Sequence, residues 1–247
     1  MNDATPSRDV TEYLHDLAQD FERLGDQLSQ SSQPNAFDAV SKLAVERVRS
    51  AKAASITILK HDRFLTAAAT HDVARQADDI QYSLGSGPCI DAIIDDTVYQ
   101  PKDLGVDDRW PEYGQRVVAE LGLRSMLSYR MHLEYQGVVA GLNFYAEEVN
   151  AFDDRNLAEG LLLVTHAAQA VSAAHLRDRA YNLERALASN RDIGTAIGVL
   201  MAQHKLTREQ AFDLLRIASQ NTNRKLRDVA QDVIDTGTVD VTPHSRN

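Results

Sequence analysis

Arg124-Ser125-Met126-Leu127-Ser128-Tyr129-Arg130-Met131 and Val138-Val139-Ala140-Gly141-Leu142-Asn143-Phe144-Tyr145 are two extended segments around the turn-forming Glu134-Tyr135-Gln136-Gly137. That pattern predicts an antiparallel hairpin. Upstream, Ser55-Ile56-Thr57-Ile58-Leu59 and Phe64-Leu65-Thr66-Ala67-Ala68-Ala69 flank Lys60-His61-Asp62-Arg63 and predict another. Before them, Phe37, Val40, Leu43, Ala44, Val45 and Val48 fit a helix that ends before Ala53. Helices before, between and after two hairpins give an α+β fold, with one sheet face covered by helices and the other available for a ligand.

Working outward, Tyr13, Leu14, Leu17, Phe21, Leu24 and Leu28 predict a short amphipathic helix over Thr11–Leu28. Gln30-Ser31-Ser32-Gln33-Pro34-Asn35 then reads as a linker or sharp turn. Between the first hairpin and Leu84-Gly85-Ser86-Gly87-Pro88-Cys89-Ile90-Asp91-Ala92 lies a long polar loop.

Past Phe152, with Asp153 or Asp154 as cap, a helical pattern meets no breaker until His204. Within it Leu176, Ala180, Leu183, Leu187, Asn190, Gly194, Ile197 and Met201 alternate spacings of four and three, a heptad rhythm. Such a seam serves a parallel homodimer, with Asn190 fixing register, or packs on the next two helices of its own chain. Thr207-Arg208-Glu209-Gln210 has the form of a capping box and precedes Ala211, Leu214, Leu215 and Ala218 on one face. Asn221-Thr222-Asn223 breaks that helix, and Leu226, Val229, Ala230, Val233 and Ile234 mark a third, ending before Gly237. The expected division is an N-terminal helix and linker (1–34), an α+β domain (35–175), a coiled-coil extension with a three-helix module (176–237) and a flexible tail (238–247).

At 247 residues, 43% hydrophobic and 25% charged, the chain has the composition of folded, water-soluble domains. No run of about 18 apolar residues and no targeting segment is read in it, so no membrane and a cytoplasmic location are expected. The single cysteine, Cys89, excludes an intrachain disulfide. The net charge of −10 is uneven: residues 1–179 hold 17 basic and 28 acidic side chains, residues 180–237 hold 8 and 7. Contact with nucleic acid must therefore come from a local C-terminal patch.

Gly85-Ser86-Gly87-Pro88-Cys89-Ile90-Asp91-Ala92, Tyr99-Gln100-Pro101-Lys102-Asp103-Leu104, Arg109-Trp110, Leu121-Gly122-Leu123-Arg124-Ser125 and Gly141-Leu142-Asn143-Phe144-Tyr145 are similar to actinobacterial GAF domains found beside ANTAR modules, over about residues 35–175. Ala196-Ile197-Gly198-Val199-Leu200-Met201, Ala211-Phe212-Asp213-Leu214-Leu215-Arg216-Ile217-Ala218-Ser219 and Asn223-Arg224-Lys225-Leu226-Arg227-Asp228-Val229-Ala230 resemble the ANTAR domain, over about residues 180–235. The resemblance implies a transcription antitermination regulator that binds paired RNA hairpins and thereby prevents a terminator, with the GAF domain as sensory or dimerisation unit.

The residues themselves offer a compatible site. Asn223 or Thr222 is positioned to cap the third helix, whose amides and positive dipole end suit a phosphate, and Arg224, Lys225 and Arg227 add charge there. Arg216 and Arg191 extend the patch. Phe212, beside the apolar face of the second helix, reads as core, and Ala196 and Gly198 as positions for close helix packing. Cys89, Tyr129 and Asn143 are the candidates for contact with an unknown small molecule in the GAF domain. Cys89 itself, in a presumed binding-face loop, reads chiefly as a buried small residue.

Other chemistry finds no set of residues. The eight histidines show no metal spacing, so neither metal nor cofactor is expected. Gly85-Ser86-Gly87 lacks the lysine of a phosphate loop. Asp78-Asp79, Asp95-Asp96 and Asp107-Asp108 read as solvated loop ends. The protein is therefore not expected to be an enzyme. The reading from another class is a ligand-responsive GAF sensor whose C-terminal helices recruit a protein partner without touching RNA.

Overall fold

The computed structural model describes residues 33–133 and 137–240, with scattered positions between His15 and Asp26. Most of the helix expected over Thr11–Leu28, the turn residues Glu134, Tyr135 and Gln136, and the expected tail from Val241 onward lie outside the described residues. Two compact units make up the chain, one ending at Asp178 and the other beginning at Arg179.

The first unit runs α1 (Gln33–Arg47), β1 (Ala53–Lys60), β2 (Arg63–Ala69), α2 (Asp72–Leu84), α3 (Pro88–Asp95), β3 (Val98–Tyr99), α4 (Pro111–Leu121), β4 (Ser125–Met131), β5 (Val138–Ala146) and the start of α5 (Asp154–His204). Its sheet has the order β2-β1-β5-β4-β3, and every neighbouring pair is antiparallel. Both expected hairpins are present. In the first, Lys60 pairs with Arg63 while His61 and Asp62 adopt φ of 50° and 59°. A two-residue turn of that hand matches the twist of the strands. Pro34 falls inside the first turn of α1, where its missing N–H is not needed, so the expected linker is shorter than 30–35.

Alternation along β5 sorts the core. Ala140, Leu142, Phe144 and Ala146 pack with Val40, Ala44 and Val48 of α1 and with Leu163, Val164, Ala167 and Val171 of α5. Tyr145 and Val139 face the other way, onto Ala74, Ala77 and Ile80 of α2, Cys89 and Ile93 of α3, and Tyr113 and Val117 of α4. The sheet face expected to be open is therefore covered by three helices. Where α4 crosses the loop before it, a Cβ on Gly114 would lie 1.8 Å from the Leu104 carbonyl oxygen, so only glycine permits the approach.

Two segments depart from the expected loops. The long polar loop is instead helix α2, whose inward face is built from Ala74, Ala77, Asp78, Ile80 and Gln81. Cys89 belongs to α3, with Pro88 at its start, and not to a binding loop. Alanine and polar residues pointing inward gave α2 a weak apolar stripe, and α3, apolar on its buried face, has only eight residues, about two turns.

Contrary to expectation, one 18-residue window of α5 is apolar enough by length and composition to cross a membrane, with a mean hydropathy of 1.2. Half of that window is buried in the fold. Leu163, Val164, Ala167, Ala168 and Val171 of this helix cover the sheet, as the core helix of a folded domain does.

The second unit joins the C-terminal part of α5 to α6 (Arg208–Thr222) and α7 (Leu226–Thr236). Ala196, Ile197 and Leu200 of α5, Ala211, Leu215 and Ala218 of α6, and Val229, Ala230 and Val233 of α7 close its core. The capping box forms as expected: Gln210 N donates to Thr207 Oγ1 (3.3 Å) and Thr207 N donates to Gln210 Oε1 (2.9 Å). Gly237, at φ 76°, ends α7.

Candidate nucleic-acid interface

The turn between α6 and α7 is held by its own hydrogen bonds. Asn223 takes the left-handed conformation that closes α6, the Ser219 hydroxyl donates to the Arg224 carbonyl oxygen (2.6 Å), and the Thr222 hydroxyl donates to that of Ala218 (2.6 Å). The expectation that Asn223 or Thr222 caps the third helix is thereby corrected. Both residues serve the end of α6, and the cap position of α7 is Lys225, which makes no side-chain cap hydrogen bond. An uncapped helix start next to Arg224, Lys225 and Arg227 keeps the character of an anion site.

Four of the six candidate residues hold a carboxylate. Arg224 pairs with Asp232, Arg227 with Asp228 (3.2 Å), Arg216 with Asp213 (3.1 Å) and Arg191 with Asp192 (3.7 Å). The hydrogen bond to Asp232 raises the Arg224 pKa, and the same bond lowers that of Asp232. All four arginines are well exposed, so water competes for these pairs and a phosphate can replace the carboxylates at modest cost. Lys225 is exposed and joins no ion pair among the described residues. The same holds for Lys205 and Arg208 near the start of α6, which the sequence reading did not single out.

Two further expectations change here. Phe212 is 40% exposed and stands outside the three-helix core, although the reading placed it inside. It lines a surface groove of about 650 Å³ with Asn190 and Gly194 of α5 and Arg208 and Glu209 of α6. Gly198 is exposed, and a Cβ there meets nothing within 4 Å, so close packing does not require the glycine; Ala196 is fully buried. On α5, Leu176, Leu183 and Leu187 are each more than half exposed, so among the described residues nothing covers the first half of the heptad seam.

In the first unit, the three small-molecule candidates are not brought together on a common open surface. Cys89, Tyr129 and Asn143 are all buried. Tyr129 lies on the α1/α5 side of the sheet, donates to the Leu157 carbonyl oxygen (2.6 Å) and borders a groove of about 330 Å³ with Thr97, Arg130 and His132. Cys89 lies on the other side, its thiol pKa pushed up to about 12, first by burial and then by the charge of Asp78. A thiol so held is a poor nucleophile at neutral pH.

Asn143 leads to the residue that was missed. Its amide nitrogen faces Ser55 Oγ (3.2 Å), Thr57 Oγ1 (3.2 Å) and Asp78 Oδ1 (3.4 Å). Asp78, far from being a solvated loop end, is fully buried on α2 and accepts from Ser55 Oγ (3.1 Å), Thr66 Oγ1 (2.8 Å) and the Tyr145 hydroxyl. No cation balances it among the described residues. Burial pushes its pKa up to about 6, against the downward pull of the bonds from Tyr145, Ser55 and Thr66. Nearby, Gln81 Oε1 accepts from the Cys89 amide (2.8 Å), while its buried Nε2 has no partner among the described residues. The i, i+3, i+4 row Ala74, Ala77, Asp78, Gln81 was the available signal for this face.

The family models for the GAF domain and the ANTAR domain match residues 30–172 and 182–234. No curated protein matches the chain by sequence. Solved structures similar to the first unit include the GAF domain of an Acinetobacter phosphoenolpyruvate-protein phosphotransferase (13% identity, TM-score 0.49, covering 65% of this chain and 95% of that one). A type II free methionine-R-sulfoxide reductase from Thermoplasma acidophilum (15%, 0.46, 60% and 94%) and a GAF domain/HD domain protein from Geobacter sulfurreducens (20%, 0.45, 62% and 98%) are also similar. GAF domains are sensory and ANTAR domains are RNA-binding antiterminator modules, so the two units carry regulatory folds. With an α+β first unit, a long connecting helix and a three-helix end that match both models in order, the chain belongs to the GAF-domain family and is a regulator with a GAF domain followed by an ANTAR domain.

Proposed function

We propose that the protein is a homodimeric, cytoplasmic transcription antitermination regulator that binds paired RNA hairpins through its C-terminal unit. The observation that carries this reading is the uncapped start of α7, flanked by Arg224, Lys225 and Arg227 in a chain of net charge −10. Arg216 and Arg191 extend the contact and Asn223 fixes the turn that presents it. The exposed seam of Leu176, Ala180, Leu183 and Leu187 supports self-association, which delivers two such sites to one transcript. The GAF domain acts as sensor or dimerisation unit, and a small molecule that touches Cys89 or Asn143 must enter a core filled by side chains. The protein is not an enzyme on this reading; its one thiol is buried, and Asp78 is closed into the core among hydroxyls that donate to it.

Replacing Arg224, Lys225 and Arg227 together by alanine should strongly weaken binding to a two-hairpin leader RNA and flatten its salt dependence by about 0.9 in slope per lost phosphate contact. Unchanged binding refutes the surface. A second reading, recruitment of a protein partner, is favoured by the carboxylates that hold four of the arginines. Crosslinking in cells and sequencing of the recovered RNA separates the two, since absence of terminator-proximal leaders supports the second.

A further inference from the structure

We propose that the groove between β4 and α5 of the first unit binds a free α-amino acid with an apolar side chain, its ammonium on Asp96 and its carboxylate on Arg130. The inference rests on the sensor reading of the GAF domain and does not need RNA binding by the second unit.

The groove, of about 330 Å³, has the size of a small-molecule site. It opens where Asp96 ends α3 and Val98 begins β3, and α5 lines its other side with Leu161, Val164 and Ala168.

Two opposite charges stand side by side in it. Asp96 takes the left-handed conformation that closes α3, and its Oδ1 faces both His132 Nε2 (2.9 Å) and, more distantly, Arg130 Nε (3.6 Å). No partner holds its Oδ2 among the described residues. Arg130 donates through Nη1 to the Ile93 carbonyl oxygen (2.9 Å). Its Nε is buried, stands too far from Asp96 for a hydrogen bond, and has no other partner among the described residues. A guanidinium carries several N–H groups, so Arg130 keeps donors for a ligand. A lone anion is opposed by Asp96 and a lone cation by Arg130; a molecule with both charges on neighbouring atoms is opposed by neither. The ammonium also meets the negative end of α3.

The rest of the groove favours apolar surface. Val98 and Leu161 are 36% and 53% exposed, and Val164 and Ala168 add buried apolar wall. The neighbouring hydroxyls are already used within the protein, that of Tyr129 on the Leu157 carbonyl oxygen (2.6 Å) and that of Thr165 on the Leu161 carbonyl oxygen (2.8 Å). An aliphatic or aromatic side chain is driven from water onto these residues. Because Leu161, Val164 and Ala168 belong to α5, a bound amino acid ties that helix to the sheet edge ahead of Leu176, where the exposed seam begins.

The test is calorimetric titration of the full chain with L-alanine, L-valine, L-leucine and L-phenylalanine in turn. Affinity should rise about fourfold per buried methylene, which places L-leucine well above L-alanine. Isocaproate, which is leucine without its amino group, and isoamylamine, which is leucine without its carboxylate, should each bind at least about tenfold more weakly. The carboxylate is removed from the ligand because Arg130 also holds the Ile93 carbonyl. Asp96→Asn keeps a residue that tolerates the left-handed turn and should bring L-leucine down to the level of isocaproate. Leu161→Ser, at an exposed position, should weaken L-leucine by about tenfold. Circular dichroism and melting of both variants without ligand should match the wild type. If isocaproate or isoamylamine binds as tightly as L-leucine, the paired-charge site is wrong. If L-leucine binds and neither variant weakens it, the GAF domain senses through another site and the groove proposal fails. If Leu161→Ser instead splits a dimer in sedimentation, a second copy of the chain covers the groove and the proposal fails. If no amino acid binds at millimolar concentration the proposal fails, and if mass spectrometry also finds no small molecule on the purified protein, the sensor reading fails with it.

Discussion

Replacing Asp78 by asparagine should turn a pH-dependent first unit into one whose stability changes much less with pH. The native Asp78 carboxyl titrates near 6 against an ordinary value of 3.8, because burial without a cation opposes its charge. A raised carboxyl pKa means that the native state holds the proton more tightly than the unfolded chain. Stability from this group is thus full below about pH 3.8 and is lost as pH rises through about 6. At about 1.4 kcal/mol per unit, a rise of roughly two units makes the ionised residue cost on the order of 3 kcal/mol at neutral pH. Asparagine has the same shape and no charge, and the hydroxyls of Ser55 and Thr66 can turn to suit its amide. Urea unfolding of the full chain, followed by the fluorescence of its single tryptophan, Trp110, reads this unit directly because that ring is 2% exposed in the same core. The stability of D78N minus that of the wild type should grow by about 3 kcal/mol from about pH 4 to about pH 8. A difference that stays flat over that range refutes the account of Asp78 as a charged, uncompensated core residue.

Other substitutions test other contacts. Leu183→Asp with Leu187→Asp places charge on the exposed seam and should convert a dimer to a monomer in sedimentation, with little change in helical content, since neither leucine is buried within the chain. Thr207→Ala removes one half of the capping box and should destabilise the second unit by about 1 kcal/mol in thermal melts. Gly114→Ala drives a methyl into the Leu104 carbonyl oxygen, a backbone atom that cannot step aside; a loss of about 3 kcal/mol or more, or failure to fold, is expected in expression and melting assays.

Where side-chain chemistry changes sharply along the chain, the fold was legible beforehand. Both hairpins, the capping box at Thr207 and the stops at His204 and Gly237 follow from alternation, caps and glycine, and each is present. Helix α2 was not legible because Ala74, Ala77, Asp78 and Gln81 give its buried face the look of a surface. Asp78 itself is readable only once Ser55, Thr66 and Tyr145, distant in sequence, are seen to converge on it. Tyr129 and Asn143 are on adjacent strands, yet the pleat sends them to opposite faces. At the candidate interface the cations were visible from composition; the carboxylate on Arg224 was not, since Asp232 meets it across eight residues, whereas Asp192, Asp213 and Asp228 lie within three residues of the arginines they hold.

Cys89 has no exposed surface, so a thiol reagent reaches its sulfur only when α3 lifts from β5. The rate of labelling in the native state therefore reports how often that lift occurs, and its logarithm gives a local opening free energy. No substitution is needed to make the measurement, because no other thiol in the chain competes. A metabolite that wedges under α3 will change this rate whether or not anyone knows what it is.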